Sequence, residues 1–285
     1  MAEVHKKHWY EHMLAIDRRI LYLFVFIAVL VPALFPFGLP IKITPEVQAV
    51  YDRIEAMQPG EIVMFPLEYD PSTAAELEPM AFAMLRHAFS RNLRVLACCL
   101  SSTGVSLVED EIARVAREYD KEYGSDYVYL GYQPYPAIVI MTMGENFRTP
   151  FPLDYYGTSL DSLPMMKKTK NYDDVSMVFT INATSGIDYW IIYGQGRYKF
   201  PLGLGSAAVM ATNYYQYVQS GQLFGIISGL RGAAEYEILI GQGNVARKGM
   251  DVQSVAHALI IIFILLGNIA FLVERRRARH LTEEA

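Results

Sequence analysis

Two stretches of the chain, residues 20–41 ("ILYLFVFIAVLVPALFPFGLPI") and 252–273, contain no Lys, Arg, Asp or Glu. At about 1.5 Å of rise per residue, a helix of either length crosses the roughly 30 Å hydrocarbon layer of a bilayer. In hydrocarbon every backbone amide must find an internal partner, so both runs are expected to be transmembrane helices, the first bent by Pro32 and Pro36. Between them the pattern changes. Compact apolar runs, "EIVMFPLEY", "LRVLACCLS", "YVYLGY", "AIVIMTM", "VSMVFTIN" and "GSAAVMA", predict strands. Segments with apolar residues at helical spacing separate the early ones: Val47, Val50, Ile54 and Met57; Leu77, Met80, Ala81, Met84, Leu85 and Ala88; Val108, Ile112 and Val115. Further helices are expected around 187–195, 212–219 and 222–238. Fully apolar strands alternating with helices predict a parallel sheet covered on both faces. The expected fold is therefore α/β, a Rossmann-like or flavodoxin-like three-layer domain between an N-terminal and a C-terminal transmembrane helix. Segment 144–173 is long for a plain connection and is expected to be functional or interfacial.

The charges at the ends set an orientation. Lys6, Lys7, Arg18 and Arg19 precede the first run, and Arg275, Arg276, Arg277 and Arg279 follow the second. The inner ends of the two runs carry only Lys42, Arg247 and Lys248. The positive-inside rule then puts both termini in the cytoplasm and the central domain across the inner membrane, periplasmic or extracellular. The expected organisation is a cytoplasmic amphipathic segment 1–19, spans at 20–41 and 252–273, an outer domain 42–251 and a basic tail 274–285. A cleaved signal peptide competes for the first run, but prolines follow it where a small-residue cleavage site belongs. The outer domain holds 17 Lys and Arg against 24 Asp and Glu. That balance argues against nucleic acid as a partner. Cys98 and Cys99 are adjacent in an expected strand and point to opposite faces, so no disulfide framework supports the fold.

Chemistry is sparse. The chain has no phosphate-binding P-loop, no nucleophile elbow, no H-E-x-x-H and no C-x-x-C, and "GLGSAA" lacks the third glycine of a dinucleotide fingerprint. Its two outer histidines offer no base: His87 is expected on the polar side of a helix, and His257 lies in the second apolar run. No cofactor is implied, and an enzyme is the weaker expectation. "LEYDPSTAAELE" leaves the carboxyl end of the first strand, where open parallel sheets bind ligands. Thr73 and Glu76 also have capping-box spacing, which accounts for them without a ligand. Glu68, Asp70, Ser101, Ser102, Glu145 and Asn182 are expected to converge on one rim as a candidate ligand site. His5, His8 and His12 share one helix face and are a weak metal candidate beside the plainer reading of an interfacial segment.

Gly221, Gly225, Gly229 and Ala233 recur every fourth residue, which on one helix would bare a face for close packing. With Tyr155 and Tyr156 they are the candidate interface. At "DYYGTSLDSLPMM", "NYDD" and "QSGQLFGIISGLRGAAEYE" the chain resembles an uncharacterised family of prokaryotic membrane-anchored proteins with a Rossmann-like outer domain. That resemblance implies the fold and no activity. The leading expectation is a non-enzymatic structural or scaffolding subunit of a membrane complex, its partners the lipid bilayer and other membrane proteins in a homo- or hetero-oligomer. The alternative is an envelope sensor or binding protein for a sugar-like or cell-wall ligand at the carboxyl end of the sheet.

Overall fold

The computed structural model describes residues 15–283 together with Trp9 and Met13. The expected His5–His8–His12 cluster lies outside the described residues. The chain divides into two compact units, residues 41–247 and the paired ends 1–40 with 248–285.

The first unit is an α/β domain with a six-stranded, all-parallel sheet, consistent with a Rossmann-like fold. Its strands are β1 Ile62–Glu68, β2 Arg94–Cys98, β3 Tyr127–Tyr129, β4 Met177–Asn182, β5 Leu202–Ser206 and β6 Ile226–Ser228, in the spatial order β3-β2-β1-β4-β5-β6. β1 through β5 are buried along nearly their whole length, as a sheet covered on both faces requires. Winding runs outward from β1 to β3, then returns to β4 at the other side of β1. The strand order therefore reverses between β1 and β4, and a crevice opens at the carboxyl ends of those two strands.

Numbering the helices in chain order, α1 is Arg18–Leu34, α2 Pro45–Glu55, α3 Ala74–Ser90, α4 Val105–Glu118 and α5 Pro136–Met143. A continuous helix, α6, covers 187–198 and contains a π-helical stretch, Trp190–Gln195. Beyond it come α7 Ala208–Ala211, α8 Tyr215–Gln219, α9 Gly229–Ile240 and α10 Val245–Glu283. α3 packs between α4 and α9, and α2 lies on α9. Glycines 203 and 205 in β5 admit this layer: a Cβ on Gly205 would collide with the Met80 sulfur, and one on Gly203 would meet Phe179 and Phe224 at 2.6 Å. The opposite face holds α5, α6 and most of the 144–173 segment, around Met64, Leu96, Val128, Val178 and Leu204 of the sheet.

Several expectations change here. "AIVIMTM" is a helix, α5, because Pro136 starts it and Tyr135 enters it with φ 63°. A seven-residue apolar run has no period that separates a buried helix from a strand. "GSAAVMA" splits into the end of β5 and α7. The 144–173 segment supplies core: Phe147, Phe151, Leu160, Met165, Met166 and Tyr172 are buried, and Arg148 ties it together by donating to Asp161 (2.6 Å), Met166 O (2.7 Å) and Thr169 O (3.1 Å). α5 is too short to cover its face of the sheet, and this segment completes the layer. His87 is also not on a polar face. It is buried between Tyr236 Oη (2.6 Å) and Glu55 Oε1 (3.0 Å), and burial holds its pKa down.

The glycine row is not one helix face. Gly221 sits in a turn with φ 75°, where only glycine is at ease. Gly225 precedes β6, pressed within 2.6 Å of Glu46 O by its would-be Cβ, and Gly229 opens α9 with φ 58° against Ala208. Ala233 follows one turn later in α9, fully buried within the domain. The helix expected over 222–238 is thus a strand followed by α9; Gly225, Gly229 and Ala233 are buried in internal packing, while Gly221 is exposed in its turn. Tyr155 and Tyr156 stay exposed, with the Tyr156 hydroxyl donating to Glu109 at 2.6 Å.

In the second unit, α10 is long and apolar enough to cross a membrane: over Val245–Arg276 its best window has mean hydropathy 2.5. The first apolar run is helical only as α1, 17 residues, and not over all of 20–41. It stops because Phe35 precedes Pro36, and a residue before proline is driven out of the helical region. The Asp251 carboxylate accepts N–H bonds from Gly38 (2.8 Å) and Leu39 (3.1 Å), fixing the segment after α1 to the start of the apolar part of α10.

Candidate ligand-binding site

β1 and β4 are in register at their ends, Glu68 beside Asn182, and the register continues to Ser206 on β5. Alternation along β1 sends Ile62, Met64 and Glu68 toward the α5–α6 face and Tyr69 toward α4. The last inward position of β1 is therefore a carboxyl group at the crevice. Glu68 is 7% exposed.

Both of its oxygens are held. The Trp190 indole N–H donates to Oε1 at 2.6 Å, and Asn182 Nδ2 donates to Oε2 at 2.6 Å. Asn182 cannot turn round, because its Oδ1 accepts from the Thr184 amide (2.8 Å) and hydroxyl (3.1 Å). Thr184 Oγ1 in turn accepts from Gly186 N at 3.2 Å. Gly186 is the close cover of this arrangement: a Cβ there would lie 2.5 Å from Asn182 Nδ2 and 3.0 Å from Glu68 Oε2. Burial pushes the Glu68 pKa up to about 7, against the opposing pull of the Trp190 and Asn182 hydrogen bonds. A carboxyl group that exchanges its proton near neutrality presents either an acceptor or a donor to whatever enters.

The crevice is a cleft of about 390 Å³. After β1 it is lined by Glu68, Tyr69, Asp70, Ser72 and Thr73; after β2 by Leu100 and Ser101; Pro136 starts α5; and Ala183, Thr184, Ser185, Gly186 and Tyr189 complete it. That size falls within the range of small-molecule sites. None of the lining residues is Lys, Arg, His or Cys. Asp70 stays an anion: its Oδ1 accepts from the Ser72 hydroxyl (2.6 Å) and amide (2.9 Å), which hold its pKa below the usual carboxylate value. Two carboxyl groups, five aliphatic hydroxyls and the faces of Tyr189 and Pro136 make a surface for a ligand rich in hydroxyl or amino donors. A phosphate finds no cation there and no glycine-rich turn.

Of the six residues expected at the rim, Glu68, Asp70 and Ser101 line this cleft and Asn182 lies directly beneath, bonded to Glu68. Ser102 is exposed in the turn before α4, outside the lining. Glu145 is displaced to the far end of α5, where it faces Arg197 at 3.8 Å, because α5 is a helix that starts at the cleft and leads away from it. The capping box is not formed. Thr73 precedes α3 without capping it, and Glu76 Oε1 accepts from Ala208 N at 2.8 Å. Sequence reasoning missed Trp190, Ser185, Gly186 and Tyr189. The signal was "NATSGIDYW", whose Asn, Thr, Ser and Gly announce a turn leading into a helix.

No family model, curated protein or solved structure matches the chain. The resemblance seen at "DYYGTSLDSLPMM" and "NYDD" gains no support from these comparisons, and the functional reading rests on geometry.

Proposed function

We propose that the chain is a membrane-anchored binding protein that holds a small, polyhydroxylated, sugar-like ligand in the cleft between β1 and β4. The observation that carries this reading is Glu68, a nearly buried carboxyl whose two oxygens are held by Trp190 and Asn182 where the winding of the sheet leaves a crevice. Asp70 and the hydroxyls of Ser72, Thr73, Ser101, Thr184 and Ser185 would share the ligand's hydroxyl groups, and Tyr189 would stack on the apolar face of a pyranose ring. In this proposal α1 and α10 both cross the membrane, both termini are cytoplasmic and the α/β domain is periplasmic or extracellular. At 17 residues α1 spans about 26 Å, close to the hydrocarbon thickness. Its exposed Phe24, Phe26, Ile27 and Leu30 suit lipid.

The test is thermal unfolding of the full chain in mild detergent against a panel of neutral hexoses, N-acetylhexosamines and amino sugars. At least one class is expected to raise the midpoint in the wild type and to lose that effect in Glu68→Gln and Asp70→Asn. No shift with any of them contradicts the reading. For assembly, Tyr155 and Tyr156 remain exposed on the outer domain, and a further feature lies on α10.

A further inference from the structure

Polar side chains are costly in hydrocarbon and are found facing a partner or an aqueous cavity. Within the apolar part of α10 the uncharged polar residues after Ser254 are His257 and Asn268. They are eleven residues apart, about three turns at 3.6 residues per turn, so they lie on one line along the helix. The side of α10 used within its own unit is elsewhere. Phe263 meets Phe24 edge-on with ring centres 6.3 Å apart, and Ala270 is fully buried. Asn268 is five residues past Phe263, about 140° round the helix at roughly 100° per residue. It is exposed, and its side chain makes no hydrogen bond to any described residue. Beside it, a Cβ on Gly267 would meet nothing within 4 Å, so a neighbouring helix could approach closely.

The exposed residues on this side repeat with a second regularity. His257, Ile261, Ile264, Asn268 and Phe271 follow one another at spacings of four, three, four and three. That is the spacing of the seam of a left-handed helix pair, with His257 near its start and Asn268 between the apolar Ile264 and Phe271, where an asparagine fixes register and oligomer state. A primary amide both donates and accepts, so an identical amide at the same depth satisfies it. A parallel two-fold pair of α10 helices brings the two Asn268 side chains to the same depth.

We propose that two copies of this chain associate through the His257–Ile261–Ile264–Asn268–Phe271 seam of α10, with the Asn268 amides bonded to each other across the two-fold axis. The proposal depends on α10 crossing the membrane and is independent of the cleft. A basic tail of α10 on the same side of the membrane as the outer domain would remove that premise separately.

The experiment is oxidative cross-linking of the full chain in native membranes, with a single cysteine introduced by Ile264→Cys on the seam or by Ile262→Cys, more than about a quarter of a turn from the nearest seam position. The native Cys98 and Cys99 are buried in the outer domain and do not compete. Ile264→Cys is expected to give a dimer of the chain at least tenfold more abundant than Ile262→Cys gives. Adding Asn268→Leu should lower that yield several-fold, and Asn268→Gln, which keeps the amide, should restore most of it. Asn268→Leu puts an apolar group into lipid, so loss of the dimer in that variant does not report unfolding. Equal cross-linking at 262 and 264, an Asn268→Leu dimer as strong as the wild type, or adducts only with a different protein would overturn the proposal.

Discussion

Glu68 and Glu111 stand on opposite sides of the end of β1, and both are buried carboxyls with raised pKa values, about 7 and about 8, in each case because burial penalises the charge. Their settings differ. Glu68 has a donor on each oxygen and lines an open cleft. Glu111, 1% exposed, takes the Tyr69 hydroxyl on Oε2, while its Oε1 is buried without a partner. A raised pKa therefore does not mark a site by itself. What separates the two is access together with an orienting frame, and on that comparison Glu68 is the carboxyl proposed to meet a ligand and Glu111 a structural one that keeps its proton at neutral pH.

The largest effect expected from disturbing this contrast is at the frame. Trp190→Ala removes a fully buried indole and the donor to Glu68 Oε1, and should cost about 3–5 kcal/mol in a denaturant titration. A loss below about 1 kcal/mol would mean that the indole does not organise the site. Next is the pH dependence. A carboxyl whose folded pKa lies above its unfolded value contributes stability that is complete below the unfolded pKa and is lost as pH rises through the folded one. The window for Glu68 runs from about 4.5 to about 7, and for Glu111 from about 4.5 to about 8. Stability should fall across that range by a few kcal/mol for each carboxyl, since each pKa unit is worth about 1.4 kcal/mol. Glu68→Gln and Glu111→Gln should each flatten the fall, the former mainly below pH 7 and the latter up to pH 8. A wild-type curve flat from pH 5 to 8 contradicts both assignments.

Smaller still is Gly186→Ala, whose new methyl would press on Asn182 and Glu68. It should cost about 1–2 kcal/mol and weaken ligand binding out of proportion to that loss. Asp70→Asn is the mildest for folding, because the group is on the surface, and should show itself chiefly in ligand affinity.

How much of this was readable beforehand follows from the distances over which each feature is encoded. β1, β2 and β4 announced themselves as apolar runs, and with them the position of Glu68, Asp70 and Ser101 at strand ends. Val47, Val50 and Ile54 marked α2, and Thr44 with Pro45 its start. The failures are of two kinds. "AIVIMTM" and the row from Gly221 to Ala233 are short patterns that fit two structures, and the positive φ values of Tyr135, Gly221 and Gly229 decide between them only after folding. Glu145 was lost from the site with the first of these. Trp190 is of the other kind: it reaches Glu68 across 122 residues of chain, and nothing local to either position signals the pairing. The complementary face built by residues 144–173 was hidden for the same reason.

The most direct measurement is calorimetric titration of the full chain and two variants with whichever sugar of the panel most stabilises the wild type. The account predicts that Glu111→Gln binds as the wild type does, while Glu68→Gln, folded to the same extent, loses at least tenfold in affinity. Equal binding by Glu68→Gln, or an equal loss in Glu111→Gln, would contradict the assignment of the site.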